Sequence, residues 1–286
     1  MANLKELRNR IVTVSSTMQI TSAMKMVSAA KLKRAQDAIT DMRPYAKKLE
    51  EILVNVSATL DSTEGVYSAK TEKPSKVLLV AISSNRGLAG SFNANILKKA
   101  VVVAAKYPDA QVEIMGLGKK AAEILQKREY NVTTINTGIF DSLSFDNTAE
   151  IAESLMAAFR DGKYDRIELI YNQFKNAAVQ YVQEEQFLPV REVKTENATG
   201  GDYIYEPGKE EILEDLIPKS LKTQLFKALL DSQASEHGAR MTAMHKATDN
   251  ANELRKQLKL TYNKARQAAI TNEILEIVGG AEALNA

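Results

Sequence analysis

The sequence predicts an α/β domain set between two long terminal helices that pair as an antiparallel coiled coil. Three observations predict it. From Leu4 to Leu60, apolar residues recur at alternating steps of three and four (Leu4, Leu7, Ile11, Val14, Met18 and onward), broken only by Thr21, Lys25 and Ser28. A seven-residue apolar repeat held that long is a helix laid on a partner helix. The same period returns near the C-terminus at Met244, Ala247, Ala251, Leu254, Leu258, Thr261, Ala265 and Ala268. Between the two, short apolar runs alternate with helical patterns, as in layered α/β domains.

The first helix starts near Asn3, a reasonable cap, and at 1.5 Å per residue it should be roughly 85 Å long. Around Ile20–Ala30 small or apolar residues point in all directions, so one partner helix leaves part of it uncovered. Met18, Met24 and Met26 are unbranched and adaptable, and serve equally as core filling or as a contact surface. Pro44 should kink the helix without ending its pattern.

Asp61–Ser75 is polar, with Gly65 and Pro74, and reads as a linker. Lys76–Ser83 (KVLLVAIS) has the unbroken apolar character of a strand buried on both faces. Helix follows at Asn93–Lys106, strand at Gln111–Met115, helix at Lys119–Arg128, strand at Val132–Ile139 and helix at Asn147–Asp161. Arg166–Asn172 and Val179–Phe187 are strands joined as a hairpin through Phe174–Ala178. The result is a Rossmann-like α/β layer with an antiparallel edge. Glu192–Gly208 is a second linker, and helix resumes at about Lys209, with Pro218 in an early turn or at a kink. The expected division is therefore a shaft from 1–62 and 209–286 and a central domain from 75–195. Because one domain separates the two helices, both leave it at the same end and run antiparallel.

Composition narrows the function. There is no Cys, which excludes disulfides and thiolate metal sites. No run of about 18 apolar residues is present to span a bilayer, and MANLKELRNRI lacks the apolar core of a secretory signal. A soluble, intracellular protein is expected. The net charge of +2 conceals a pattern: residues 1–34 carry +6, residues 219–266 carry +6, residues 35–218 carry −7 and the last twenty carry −3. Two basic stripes on two helices favour an acidic partner over a merely solvated face.

Two glycine turns invite a cofactor. Asn85–Ser91 follows the first strand but lacks the Gly-Lys-Ser/Thr ending of a phosphate loop. Gly116-Leu117-Gly118-Lys119-Lys120-Ala121 has dinucleotide spacing after a strand and before a helix, yet the next strand brings no carboxylate before Asp141. A Gly-permitted turn serves both stretches. His237 and His245 lie eight apart with no HExxH arrangement, and no nucleophile, base and oxyanion-donor set is found, so neither a catalytic nor a metal site is expected.

Ile270-Thr271-Asn272-Glu273-Ile274-Leu275-Glu276-Ile277-Val278-Gly279-Gly280-Ala281-Glu282-Ala283 resembles the signature of the gamma subunit of F-type ATP synthases, matching its fixed positions throughout. Ser235–Met244, Ile20–Val27 and Asn85–Asn93 resemble further blocks of that family, in the family's order. The resemblance implies a central rotor shaft inside a hexameric ring of alpha and beta subunits. It would stand with an epsilon subunit on the membrane c-subunit ring and couple ion flow to ATP chemistry on beta.

The same resemblance implies contacts to the alpha/beta ring by Met24, Lys25, Arg240, Gln267, Thr271, Glu273 and Glu276. For Glu273 and Glu276, simple solvation or capping of the helix remains the alternative. Arg240→Ala is expected to lower coupled synthesis more than stability. No cofactor is expected on this chain, ATP, ADP and Mg being held by partner subunits. Lacking the cysteine insertion of photosynthetic relatives, the chain is expected to be free of thiol regulation. A bacterial or a processed organellar chain fits equally, and the starting Met and lack of a transit segment favour a bacterial protein on the cytoplasmic face of the inner membrane. The rival readings are an NAD-binding enzyme with a helical dimerisation arm, using Gly116–Ala121, and a basic nucleic-acid adaptor. No aromatic residues are interleaved among the basic ones to support the latter.

Overall fold

A computed structural model describes residues 4–57, 67, 73–190 and 209–285. The expected cap at Asn3, the first helix beyond Ser57 and most of both linkers lie outside the described residues. The elements are α1 (Leu4–Ser57), β1 (Lys76–Ile82), α2 (Phe92–Ala104), β2 (Gln111–Leu117), α3 (Lys119–Lys127), β3 (Val132–Asn136), α4 (Phe145–Arg160), β4 (Arg166–Phe174), β5 (Gln180–Leu188) and α5 (Lys209–Asn285), with a 3-10 turn at Gly138–Phe140. Both Pro44 and Pro218 lie inside continuous helices.

Of the boundaries that differ from expectation, two have a visible cause, a side chain that captures backbone amides. β3 ends at Asn136 and not at Ile139, because the Asn136 side-chain oxygen accepts from the Gly138 and Ile139 amides at 3.1 and 3.2 Å and turns the chain. α4 begins at Phe145 and not at Asn147, because Ser144 caps it by accepting from the Asn147 amide at 3.2 Å.

The chain forms two compact units, residues Ser28–Arg240, and Met1–Val27 with Met241–Ala286. The larger holds a five-stranded sheet of order β3-β2-β1-β4-β5. β1 pairs in parallel with β2 and β4, β2 pairs in parallel with β3, and β5 returns antiparallel along β4, with Asn172 opposite Val182. Alternation along β1 divides its apolar residues between two faces. Val77, Leu79 and Ala81 pack with Ile96, Ala100 and Val103 of α2 and with Ala121 and Leu125 of α3. Leu78, Val80 and Ile82 pack with Ala152, Leu155 and Phe159 of α4 and with Leu221, Leu225 and Leu229 of α5. Each such fully buried Leu, Ile or Val contributes about 1.5–3 kcal/mol.

In the smaller unit, α1 and α5 lie side by side. The hydroxyls of Thr21 and Thr248 are 2.8 Å apart, and Lys25 Nζ lies 3.5 Å from His245 Nδ1. Moving up α1 by four residues moves down α5 by three, so the pair is antiparallel. Two of the three interruptions in the α1 seam are thus cross-helix polar contacts. Every seam position of α1 from Leu4 to Leu49 is buried or half-buried.

The α5 seam departs from the predicted one. Met244, Ala251, Leu258 and Ala265 face inward, but Leu254, Thr261 and Ala268 are exposed. Arg255, Tyr262 and Ala269, one residue later, are half-buried in their place. The stems of Arg and Tyr cover apolar surface as well as Leu does, and polarity alone could not reveal that.

Candidate functional site

In a doubly wound sheet the ligand crevice opens outside the carboxyl ends of the strands where the order reverses, here beyond β1 and β4. In this protein α5 fills it. Ser235 donates its hydroxyl to the carbonyl of Asn172 on β4 at 2.9 Å. Gly238 lets the helix pass the hairpin, since a Cβ there would lie 3.1 Å from Ala177 Cα and 3.3 Å from its carbonyl oxygen. Ala239 packs on Ala89 and Phe92. Arg240, only 8 % exposed, pairs with Glu236 and donates to the carbonyls of Arg86 and Gly87 at 3.1 and 3.3 Å.

The loop after β1 is fixed from inside as well. The Ser84 amide donates to Asn93 Oδ1 at 3.0 Å, the Asn93 amide group donates to Ser84 Oγ at 2.7 Å, and Ser84 Oγ donates to the Arg86 carbonyl at 2.6 Å. The loop turns its carbonyls toward a cation of its own chain, whereas a phosphate cradle turns its amides outward. His237, in the same stretch of α5, is buried beside Arg240 and Lys31. Burial first, then those two charges, lowers its pKa from 6.5 to about 4.

The Gly116–Ala121 turn is likewise committed to its own chain. Gly118 has φ +99°, and any Cβ there would run into the Ser83 carbonyl. A Cβ on Gly116 would meet that of Ala122. The first amides of α3 are already bonded: Lys120 N donates to Ser84 O at 3.0 Å and Ala121 N to Ser83 Oγ at 3.2 Å. The helix end that would hold a pyrophosphate holds the loop after β1. The glycines serve close packing, and the NAD-enzyme reading is not favoured.

The remaining residues of the expected contact set fall in the smaller unit. Met24 and Lys25 are half-buried on α1, and Gln267, Thr271, Glu273 and Glu276 are exposed on α5. Around the last four, Ile270, Ile274, Leu275, Ile277 and Val278 are also exposed, Ile277 at 71 %. Arg240 is separate from them in character, a buried clamp whose removal leaves Glu236 and two carbonyls unpaired. About 2–4 kcal/mol of stability rests on such a group, so Arg240→Ala is expected to cost stability as well as coupled synthesis. The bonds among Ser84, Asn93, Asn172 and Ser235 escaped the sequence reading. Their traces were a polar turn (SSNR) directly after an apolar strand and the family blocks that hold Asn93 and Ser235.

The chain is thus a doubly wound α/β domain carried on long terminal helices, its crevice closed by its own C-terminal helix in place of a ligand. The chain matches the ATP synthase family over residues 3–284. It is 65% identical over 286 residues, the full length of both, to the ATP synthase gamma chain of Flavobacterium johnsoniae. It is 55% identical, over 100% of both chains, to that of Cytophaga hutchinsonii. Among solved structures it resembles a chain of the Euglena gracilis mitochondrial ATP synthase in rotational state 3, with TM-score 0.71 and 25% identity over 98% of this chain and 94% of that one. It also resembles one in the central stalk and c-ring of the Tetrahymena thermophila mitochondrial enzyme, with TM-score 0.57 and 27% identity over 80% of this chain and 99% of that one. The chain belongs to the ATP synthase gamma-chain family.

Proposed function

We propose that this protein is the central-stalk rotor of an F-type ATP synthase. In this reading it turns inside a ring of alternating alpha and beta subunits and stands with an epsilon subunit on the membrane c ring. The observation that carries the reading is the full-length identity with gamma chains. Ion flow, of protons or sodium, drives the ring and stalk. The stalk binds each conformation of a catalytic site best at one angle, and that difference in contact energy is the torque. ATP, ADP and Mg are held by the partner subunits, and this chain supplies no catalytic group.

Met24, Lys25, Gln267, Thr271, Glu273 and Glu276 are the proposed ring contacts, supported by their exposure or half-exposure. Arg240 is proposed to act at one remove, by holding the loop at Arg86 and Gly87. Among the described residues no helix is long and apolar enough to cross a membrane. The proposed place is peripheral, on the cytoplasmic face of a bacterial inner membrane. Purifying the tagged chain from its own membranes tests the reading. Alpha, beta, epsilon and c subunits should accompany it in fixed proportion, and the extract should hydrolyse ATP. Recovery of the chain without alpha and beta overturns the proposal.

A further inference from the structure

Within the larger unit, α1, α5 and the end of β4 enclose a half-open cleft of about 260 Å³. Its apolar wall is Ile39, Met42 and Ala46 of α1 facing Leu230 of α5. Its polar lining is Arg43, Lys47, Lys227, Gln173 and a single carboxylate, Asp231, on which Lys227 and Arg43 act electrostatically. Among the described residues none of these three cations makes an ion pair within 4 Å. Asp231 is 4 % exposed, and its Oδ1 has no hydrogen-bond partner. With three cations against one half-satisfied carboxylate, the lining carries a net positive charge beside its apolar wall.

We propose that this cleft binds a small amphipathic anion, its phosphate or carboxylate head held by Arg43, Lys47 and Lys227 and its apolar body lying on Met42, Ala46 and Leu230. The volume matches that of roughly eight or nine waters of bulk liquid, enough for a ligand of about ten heavy atoms. Losing one charge-assisted hydrogen bond of this kind weakens binding roughly tenfold. Asp231 opposes the ligand while ionised. It is faced by Lys227 on its own helix, Arg43 of α1, and Tyr171 and Glu185 of β4 and β5. Its protonation in the acid range removes the negative charge of the cleft lining, so affinity for an anion whose own charge is constant rises as pH falls.

The test uses the full-length chain, with the Met42 methyl resonance as the reporter. The probes are phenyl phosphate as a soluble metabolite-like anion, octyl phosphate as a lipid-like one, and inorganic phosphate and benzyl alcohol as head and body alone. One of the two organic phosphates should shift Met42 and bind about tenfold or more tighter than either part alone, and which one it is identifies the source of the ligand. The double substitution Arg43→Gln, Lys47→Gln, on exposed side chains, should weaken binding at least about tenfold, and Asp231→Asn should tighten it at pH 7.5. Equal binding of benzyl alcohol, binding indifferent to the charge substitutions, or no response at Met42 overturns the proposal.

Discussion

His237 and Asp231 lie six positions apart on the buried part of α5, and their titrations oppose each other. Burial raises the Asp231 pKa from 3.8 to about 6, against the pull of Lys227 and Arg43. A raised carboxyl binds its proton better in the folded state, so its contribution to stability is complete below 3.8 and is lost as pH rises through 6. His237 is depressed, so its contribution is complete above 6.5 and is lost as pH falls toward 4. Each shift corresponds to roughly 3 kcal/mol at full extent. Between pH 4 and 6 these two contributions offset, so in the wild-type chain neither tilts the denaturant midpoint by itself. His237→Gln should leave a chain that becomes more stable on acidification, and Asp231→Asn one that becomes less stable. Denaturant titrations at pH 4, 5, 6 and 7 check both slopes, and parallel curves for the two variants would contradict the assignment.

At the scale of elements, the junction of β1, β2 and α3 carries the sharpest constraint. Gly118→Ala drives a methyl into the Ser83 carbonyl at a backbone angle that L-residues avoid. It should destabilise the chain by more than about 3 kcal/mol, read as a loss of soluble protein or a fall in the urea midpoint, whereas Gly162→Ala, with open space around it, should lose about 1 kcal/mol. The element pattern itself was legible in the sequence. Continuous apolar runs and heptads report burial on two faces or one, and burial is what forms strands and helices. The glycine turns were legible as turns but not in purpose, because the sequence cannot say whether an amide at a helix start meets a phosphate or Ser83. The α5 seam was misread by one residue at Leu254 for a related reason, since Arg255 and Tyr262 pack through atoms that a polarity scale does not count. Asp231 gave no signal and Ser235 none beyond its family block, because buried polar residues on a long helix look like its solvated face.

At the scale of the whole chain, the decisive feature is apolar surface left uncovered by the chain itself. Residues 270–281 are exposed throughout, though Ile270, Ile274, Leu275, Ile277 and Val278 occur within nine positions. Scattered exposed apolar residues are ordinary, but a contiguous group of five marks a surface that another molecule covers. Stability and function should therefore separate here. Ile274→Asp with Ile277→Asp removes no internal packing, so the urea midpoint should stay within about 0.5 kcal/mol of wild type, while binding of a hydrophobic dye by the isolated chain should fall. In the assembled enzyme the same pair puts two carboxylates where a partner must cover apolar side chains, each at a desolvation cost of several kcal/mol. Recovery of alpha and beta subunits with the tagged variant should drop steeply, with epsilon and the c ring retained. If the variant instead unfolds at lower urea yet assembles normally, the stretch is packed by its own chain, and the rotor's contact with the ring must be sought elsewhere along α5.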